Sequence, residues 1–152
     1  MRSKRSVWIL LFFAAIAVAV FLTSRPSREE QTAAQFEADR TVLEELARQV
    51  AAEKSDAGIS TPEGWRNVRL HDGECPSVEF SFGSSGFGSE TTYWGVSYVP
   101  CAHTIYVRDF YGMGWETLKT DGETCIFFEP EGDNTCYVKK LDDCWYYYEM
   151  SF

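Results

Sequence analysis

The sequence has few basic residues and few histidines for its length. Its 152 residues include 14 Lys and Arg against 23 Asp and Glu, and only two His. Three of the basic residues precede Val7, so the chain beyond residue 22 carries 11 − 23 = −12. Such a charge repels phosphate backbones and anionic lipid headgroups, which disfavours nucleic-acid binding and a peripheral membrane patch. Cations and basic surfaces are the partners that this charge favours.

Several motifs that mark chemistry are also absent. There is no C-x-x-C and no H-E-x-x-H, so the HDGEC segment at 71–75 is interpreted as a polar turn, and no metal or other cofactor is predicted. The G-x-S-x-G elbow of serine hydrolases is missing, as is the G-F-T-x-x-E processing site of pilins. If the protein is nevertheless an enzyme, the sequence favours an envelope enzyme that acts on glycan or peptide. His103 and a carboxylate would then be the acid-base pair.

Charge is missing altogether from Val7 to Leu22, and no acidic residue occurs before Glu29. The basic stretch RSKR precedes this run, so the N-terminus is expected on the cytoplasmic side. We predict a cytoplasmic tail at 1–6 and a single-pass transmembrane signal-anchor at 7–24, with the rest of the chain outside the cell membrane. The alternative is a cleaved signal peptide and a secreted protein. No Cys lies at 14–26, which excludes a lipoprotein anchor.

Glycine and proline are absent from residues 29–54, which are rich in Ala, Glu, Gln, Leu and Arg. This composition predicts a stalk helix over 29–54. Phe36, Leu43, Leu46 and Val50 form one narrow apolar stripe. The favoured interpretation is that the stripe packs on the chain's own β-domain, because two heptads are too few for a coiled coil. Self-association through the stripe is the alternative.

From residue 64 onward, short aromatic or alternating runs are separated by Gly, Pro, Asp and Asn, as in antiparallel sheets. The predicted fold class is therefore α+β, with the helices followed by a small antiparallel β-rich domain at 64–152 outside the cytoplasm. Its predicted strands are 65–70, 77–82, 92–99, 103–110, 115–119, 123–128 and 135–139, with 145–152 as a possible eighth.

The five cysteines all lie in the predicted exported domain, where disulfides can persist. The segment 129–132 (EPEG) has the pattern of a type I turn. In a hairpin with that turn, facing positions sum to 261, and 125 + 136 is 261. The spacing therefore predicts a cross-strand Cys125–Cys136 disulfide, unless a bulge shifts the register.

The other cysteines leave their connectivity open. Cys75 with Cys101 is the pairing we prefer, which leaves Cys144 as a buried thiol or an intermolecular partner. The alternative is that all five cysteines are reduced and buried, as free cysteines often are.

Aromatic residues are unusually dense in the β-rich domain, above all in the WYYYE run at 145–149. Consecutive residues of a strand face opposite sides, so some of these rings must be exposed or covered by another layer. Exposed rings suit protein or sugar recognition, and Trp94, Trp145 and Tyr147 are the predicted binding residues. The alternative is that these aromatics only favour strand formation.

The segments FSFGSSGFGSETTYWGVSY and DDCWYYYEMSF resemble a group of small uncharacterised exported or membrane-anchored proteins of Gram-positive bacteria. In that group a Gly-rich F-x-F loop, a Tyr-Tyr/Trp-Gly strand and a terminal W-Y-Y-Y-E-x-S-F recur. The similarity covers about residues 78–152, and this chain differs in its cysteines and in lacking a lipid-anchoring Cys. The resemblance implies an exported topology and a β-domain, and it assigns no catalytic residue.

These patterns together predict a non-enzymatic, membrane-anchored binding protein of the bacterial cell envelope. Its partner would be a protein or a cell-wall component, presented with an acidic, aromatic surface near the membrane.

Overall fold

The computed structural model describes residues 12–13, 25–73, 75–101 and 114–152. Its described part contains one long helix followed by seven strands. The helix is α1 (Arg28–Glu53), and the strands are β1 (Asn67–His71), β2 (Ser77–Phe87), β3 (Glu90–Tyr98), β4 (Glu116–Asp121), β5 (Thr124–Phe128), β6 (Thr135–Asp142) and β7 (Trp145–Ser151).

The seven strands form one antiparallel sheet in the order β1-β2-β3-β7-β6-β5-β4. The predicted α+β class is confirmed, and every strand corresponds to a predicted one. The additional predicted strand at 103–110 lies outside the described residues. Because β7 inserts between β3 and β6, the C-terminal strand occupies the centre of the sheet.

Helix α1 begins and ends as its sequence indicates. Ser27 and Glu30 form a reciprocal capping box, in which the Glu30 N–H donates to Ser27 Oγ at 3.1 Å and Ser27 N–H to the Glu30 carboxylate at 2.7 Å. Capping also lowers the pKa of Glu30, since the hydrogen bonds from Ser27 favour its charged form. The helix ends at Lys54, whose left-handed backbone (φ 50°) closes it.

The apolar stripe of α1 packs on the sheet of the same chain, as the favoured interpretation proposed. Phe36, Leu43, Ala47 and Val50 are fully buried there. Asp39, a charged residue between Phe36 and Leu43 of the stripe, has a polar partner just before β1: the Trp65 indole N–H donates to its carboxylate at 2.9 Å. The helix is therefore part of the folded domain and does not stand apart from it as a stalk.

Ion pairs fasten the first half of α1 to the central strands. Arg28 lies 2.9 Å from the Glu149 carboxylate, and Lys139 lies 2.6 Å from that of Glu29. Arg40 forms a third pair with Asp142. These side chains are partly exposed, so each pair contributes little by itself, and the apolar stripe supplies most of the attachment.

The sheet has a buried cluster on each face. Under the helix it consists of Phe36, Leu43, Ala47, Val50, Trp65, Val78, Phe80, Val96 and Trp145. On the opposite face it consists of Val99, Trp115, Cys125, Phe127, Cys136, Val138, Tyr146, Tyr148 and Met150. Trp145 of β7 belongs to the cluster under the helix, and Tyr146 and Tyr148 belong to the opposite one, because consecutive residues of a strand face opposite sides. With Tyr147 fully buried as well, all four consecutive aromatic residues are buried.

The preferred Cys75–Cys101 pairing is confirmed as a disulfide, with the two Cα atoms 5.8 Å apart. The predicted Cys125–Cys136 disulfide is wrong, because both cysteines are free and buried. Cys125 lies opposite Val138, so facing positions of this hairpin sum to 263. Cys144 is also a free thiol.

The local turn explains this error. The predicted turn does form, since the Gly132 N–H donates to the Glu129 carbonyl at 3.2 Å. The hairpin, however, closes two residues later, where the Glu129 N–H donates to the Asn134 carbonyl at 3.0 Å. Two extra loop residues shift the register by two and separate the cysteines. Burial, with help from nearby Glu79 and Cys125, raises the pKa of the Cys136 thiol, so it stays protonated and unreactive.

Among the described residues, no helix is both apolar and long enough to cross a membrane. The predicted cytoplasmic tail and signal-anchor, apart from Phe12 and Phe13, lie outside those residues.

Candidate binding groove

A groove of about 450 Å³ opens on the sheet face that α1 does not cover. Val78 and Phe80 of β2 pack under the helix, so the alternating Glu79 and Ser81 point to the opposite side and reach the groove. The residues that line it come from β1, β2, β3 and the C-terminus. They are Arg66, Asn67, Arg69, Glu79, Ser81, Ser84, Tyr93 and Phe152.

The floor of the groove carries a fixed carboxylate. The Glu79 side chain is only 6% exposed, and the Tyr148 hydroxyl donates to its Oε1 at 2.6 Å. His71 Nε2 lies 2.8 Å from Oε2. Such partners are what a buried carboxylate requires, because an unpaired buried charge is strongly unfavourable. They hold Glu79 in one orientation as an acceptor at the floor.

The rim carries guanidinium groups. Arg66 donates from Nη1 to the neutral Ser84 hydroxyl at 2.7 Å, and Arg69 lies opposite Glu79 in the β1–β2 register. Within the part of the chain that the structure describes, no carboxylate forms an ion pair with Arg66. A guanidinium fixed by a neutral partner keeps donors for an anionic group.

Two aromatic rings form one wall. Tyr93 and Phe152 meet edge to face with ring centroids 5.9 Å apart, and Tyr93 is 41% exposed. The Phe152 N–H donates to the Thr91 carbonyl at 3.0 Å, which fixes the C-terminal residue beside β3. The groove therefore combines an acceptor at its floor, donors at its rim and an aromatic wall.

The three predicted binding residues lie on the other face of the sheet. Trp145 is 2% exposed and Tyr147 is fully buried, so neither ring lies at the surface. Trp94 is half-buried, with the Arg28 guanidinium 4.5 Å above its ring centroid. All three side chains lie on the adjacent strands β3 and β7, on the face that α1 covers. Helix α1 is thus the second layer that the sequence analysis gave as one of two possibilities for these rings.

Burial also changes the chemistry of Tyr147. Its hydroxyl donates to the Glu149 carboxylate at 2.9 Å. Burial first, and this carboxylate second, raise the pKa of Tyr147, because both disfavour the phenolate. The Tyr147 ring therefore packs as an apolar group, and its hydroxyl proton is used in the hydrogen bond to Glu149.

The HDGEC segment at 71–75, interpreted as a polar turn, has described side chains that are engaged within the protein. Cys75 is in the disulfide and His71 contacts Glu79, while Glu74 lies outside the described residues. No group of three or more His, Cys, Asp or Glu side chains within the described ranges is arranged to hold a metal ion. His103, on which the enzymatic alternative depends, also lies outside them.

Comparison of this chain with protein families, with curated proteins and with solved structures finds no match.

Proposed function

We propose that this protein is a non-enzymatic, membrane-anchored binding module of the cell envelope, whose groove binds a carboxylate-bearing glycan outside the cytoplasm. The observation that carries the proposal is Arg66. In a strongly acidic chain, its guanidinium lies at a groove rim beside an aromatic wall, and none of the described carboxylates neutralises it.

Three other described arginines have carboxylate partners, in contrast to Arg66. Arg28 pairs with Glu149, Arg40 with Asp142 and Arg48 with Glu44. With 23 acidic residues in the chain, a carboxylate partner for Arg66 would be easy to provide. A site that keeps this guanidinium for a ligand accounts for the difference.

The other groove residues favour a sugar acid as the ligand. The exposed Tyr93 ring offers a flat apolar surface to the face of a sugar ring. The Glu79 carboxylate can accept hydrogen bonds from sugar hydroxyls. Ser81 and Asn67 add further polar groups to the lining of the groove. A ligand carboxylate would then meet Arg66 at the rim.

Two observations support the envelope location. The charge-free run of residues 7–22 follows a basic stretch, which is typical of a signal-anchor. The Cys75–Cys101 disulfide requires an oxidising compartment to persist.

Binding of a wall disaccharide tests the proposal. We expect the disaccharide of N-acetylglucosamine and N-acetylmuramic acid, which carries a lactyl carboxylate, to bind more tightly than N,N′-diacetylchitobiose, which is uncharged and lacks it. Arg66→Gln should weaken binding of the acidic disaccharide about tenfold or more, because a charge-assisted hydrogen bond is lost. Isothermal titration calorimetry of the full chain in detergent measures both effects.

Arg48→Gln is the matched control, because Arg48 is an exposed arginine on α1 whose partner is Glu44 on the same helix. It should leave the affinity unchanged. Equal binding of the two disaccharides, or an Arg66→Gln variant that binds as well as Arg48→Gln, would contradict the proposal.

A further inference from the structure

We propose that the tip of the β2–β3 hairpin, residues Phe87–Glu90, touches the lipid bilayer beside the anchor and inserts the Phe87 ring into its interface. This inference rests on the proposed membrane anchor, and it adds a second membrane contact that would orient the groove relative to the bilayer.

Phe87 is the first observation. Its side chain is 94% exposed, more than any other large apolar side chain among the described residues. Positive φ angles at Gly86 (102°) and Gly88 (63°) shape the turn on either side of it. An aromatic ring held out in this way at a hairpin tip has no role in the core.

The hairpin also projects beyond the strand beside it. The last pair between β3 and β7 is Thr92 with Ser151, whereas β2 and β3 remain paired out to Phe87 and Glu90. The two further residues extend the tip by about 7 Å at the usual rise of a strand. Phe87 is thus placed to reach a surface that faces this end of the sheet.

The start of α1 lies at the same end. Arg28 donates from Nη2 to Ser85 Oγ at 2.8 Å, and its guanidinium covers the Trp94 ring. Five residues separate Leu22, the last residue of the apolar run, from Arg28, which is six residue steps along the chain. Such a stretch spans at most about 20 Å, so the hairpin tip must lie close to the membrane from which the chain emerges.

The charges at this end decide what kind of contact is possible. Glu90 lies in the tip, and the acidic 129–134 loop is at the same end of the sheet, since Thr135 also pairs with Ser151. Arg25 and Arg28 offset only part of this charge. The contact with the bilayer is therefore apolar and confined to the Phe87 ring. One ring is sufficient for binding because the short chain between the anchor and α1 keeps the hairpin tip at a high effective concentration near the bilayer.

Photo-crosslinking of the full chain in phosphatidylcholine nanodiscs tests this inference. The photoreactive amino acid benzoylphenylalanine replaces Phe87 in one variant, and Val42 or Leu118 in two controls that are also exposed apolar positions. We expect about tenfold more lipid adduct from position 87 than from either control, as burial of one aromatic ring allows. The ratio of lipid adduct at position 87 to that at the controls should be the same in about 0.5 M salt. Salt screens interactions between charges, and no ion pair takes part in this contact.

Alkaline carbonate extraction of cell membranes, run in parallel, separates the two proposals. If carbonate releases the protein, the anchor and this inference are both overturned. If the protein stays in the membrane but position 87 gives no more lipid adduct than Val42 and Leu118, only the hairpin contact is overturned. A protein that stays in the membrane and forms its lipid adduct at position 87 supports both.

Discussion

Replacement of Trp145 by alanine is expected to lower the free energy of unfolding by about 3 to 5 kcal/mol. The Trp145 ring is 2% exposed and lies 4.9 Å from the ring centroid of Phe36 and 5.2 Å from that of Tyr98. It joins α1 to the central strands, so its removal leaves a cavity where the two layers meet. This expectation differs from the sequence-based one, in which Trp145 binds a partner.

Urea unfolding of the detergent-solubilised chain, followed by far-UV circular dichroism, measures the effect. Leu118→Ala is the control, because Leu118 is 64% exposed on the edge strand β4 and its loss should change stability by less than about 0.5 kcal/mol. If Trp145→Ala unfolds at the wild-type urea concentration, the ring does not lie in the core, and the packing of α1 on β7 is contradicted.

Removal of the Cys75–Cys101 disulfide should be nearly as destabilising. The two cysteines are 26 residues apart in sequence, and closing a loop of that length stabilises a folded chain by about 3 to 4 kcal/mol. The bond also connects the segment between β1 and β2 to the end of β3. We expect the Cys75→Ser/Cys101→Ser double variant to unfold at clearly lower urea concentration than the oxidised wild type.

Cys144→Ser is the matched control, because Cys144 is a free, partly buried thiol. Its stability should equal that of the wild type, and reducing agent should lower the stability of both equally. Peptide mapping without reductant provides an independent check: a bond between Cys125 and Cys136 in place of Cys75–Cys101 would contradict the register of the structure.

Local sequence signals predicted most of the fold. The absence of Gly and Pro from 29–54 and the apolar stripe on that segment predicted α1 to within one residue at each end. Gly, Pro, Asp and Asn residues between the aromatic or alternating runs likewise predicted where the strands begin and end. These signals succeed because helix propensity and alternation are properties of neighbouring residues.

Strand register was harder to predict because it depends on loop length as well as on the turn. The EPEG segment at 129–132 forms its turn as predicted. The hairpin, however, closes between Glu129 and Asn134, so that Gly132 and Asp133 both lie inside the loop, and the turn motif does not specify this longer loop. One miscounted pair of residues was enough to suggest the wrong disulfide.

The site was not predictable from local patterns. Whether the aromatic rings of β7 are exposed depends on the neighbours of that strand and on the face that α1 covers, and both are set by contacts between distant segments. The groove joins Arg66, Ser84 and Phe152, which are far apart in sequence. Tyr93 and Phe152 lie in the aromatic segments that the sequence analysis noted, but nothing in those segments marks either residue as part of a groove.

The measurement that tests the central proposal most directly is NMR of the arginine side chains during titration with the acidic disaccharide. We predict that the Nε resonance of Arg66 shifts with the acidic disaccharide, together with the Tyr93 ring, and that N,N′-diacetylchitobiose leaves the Arg66 resonance unchanged. An unchanged Arg66 resonance, or shifts confined to Arg48 and the outer surface of α1, would contradict the assignment of the groove as the binding site.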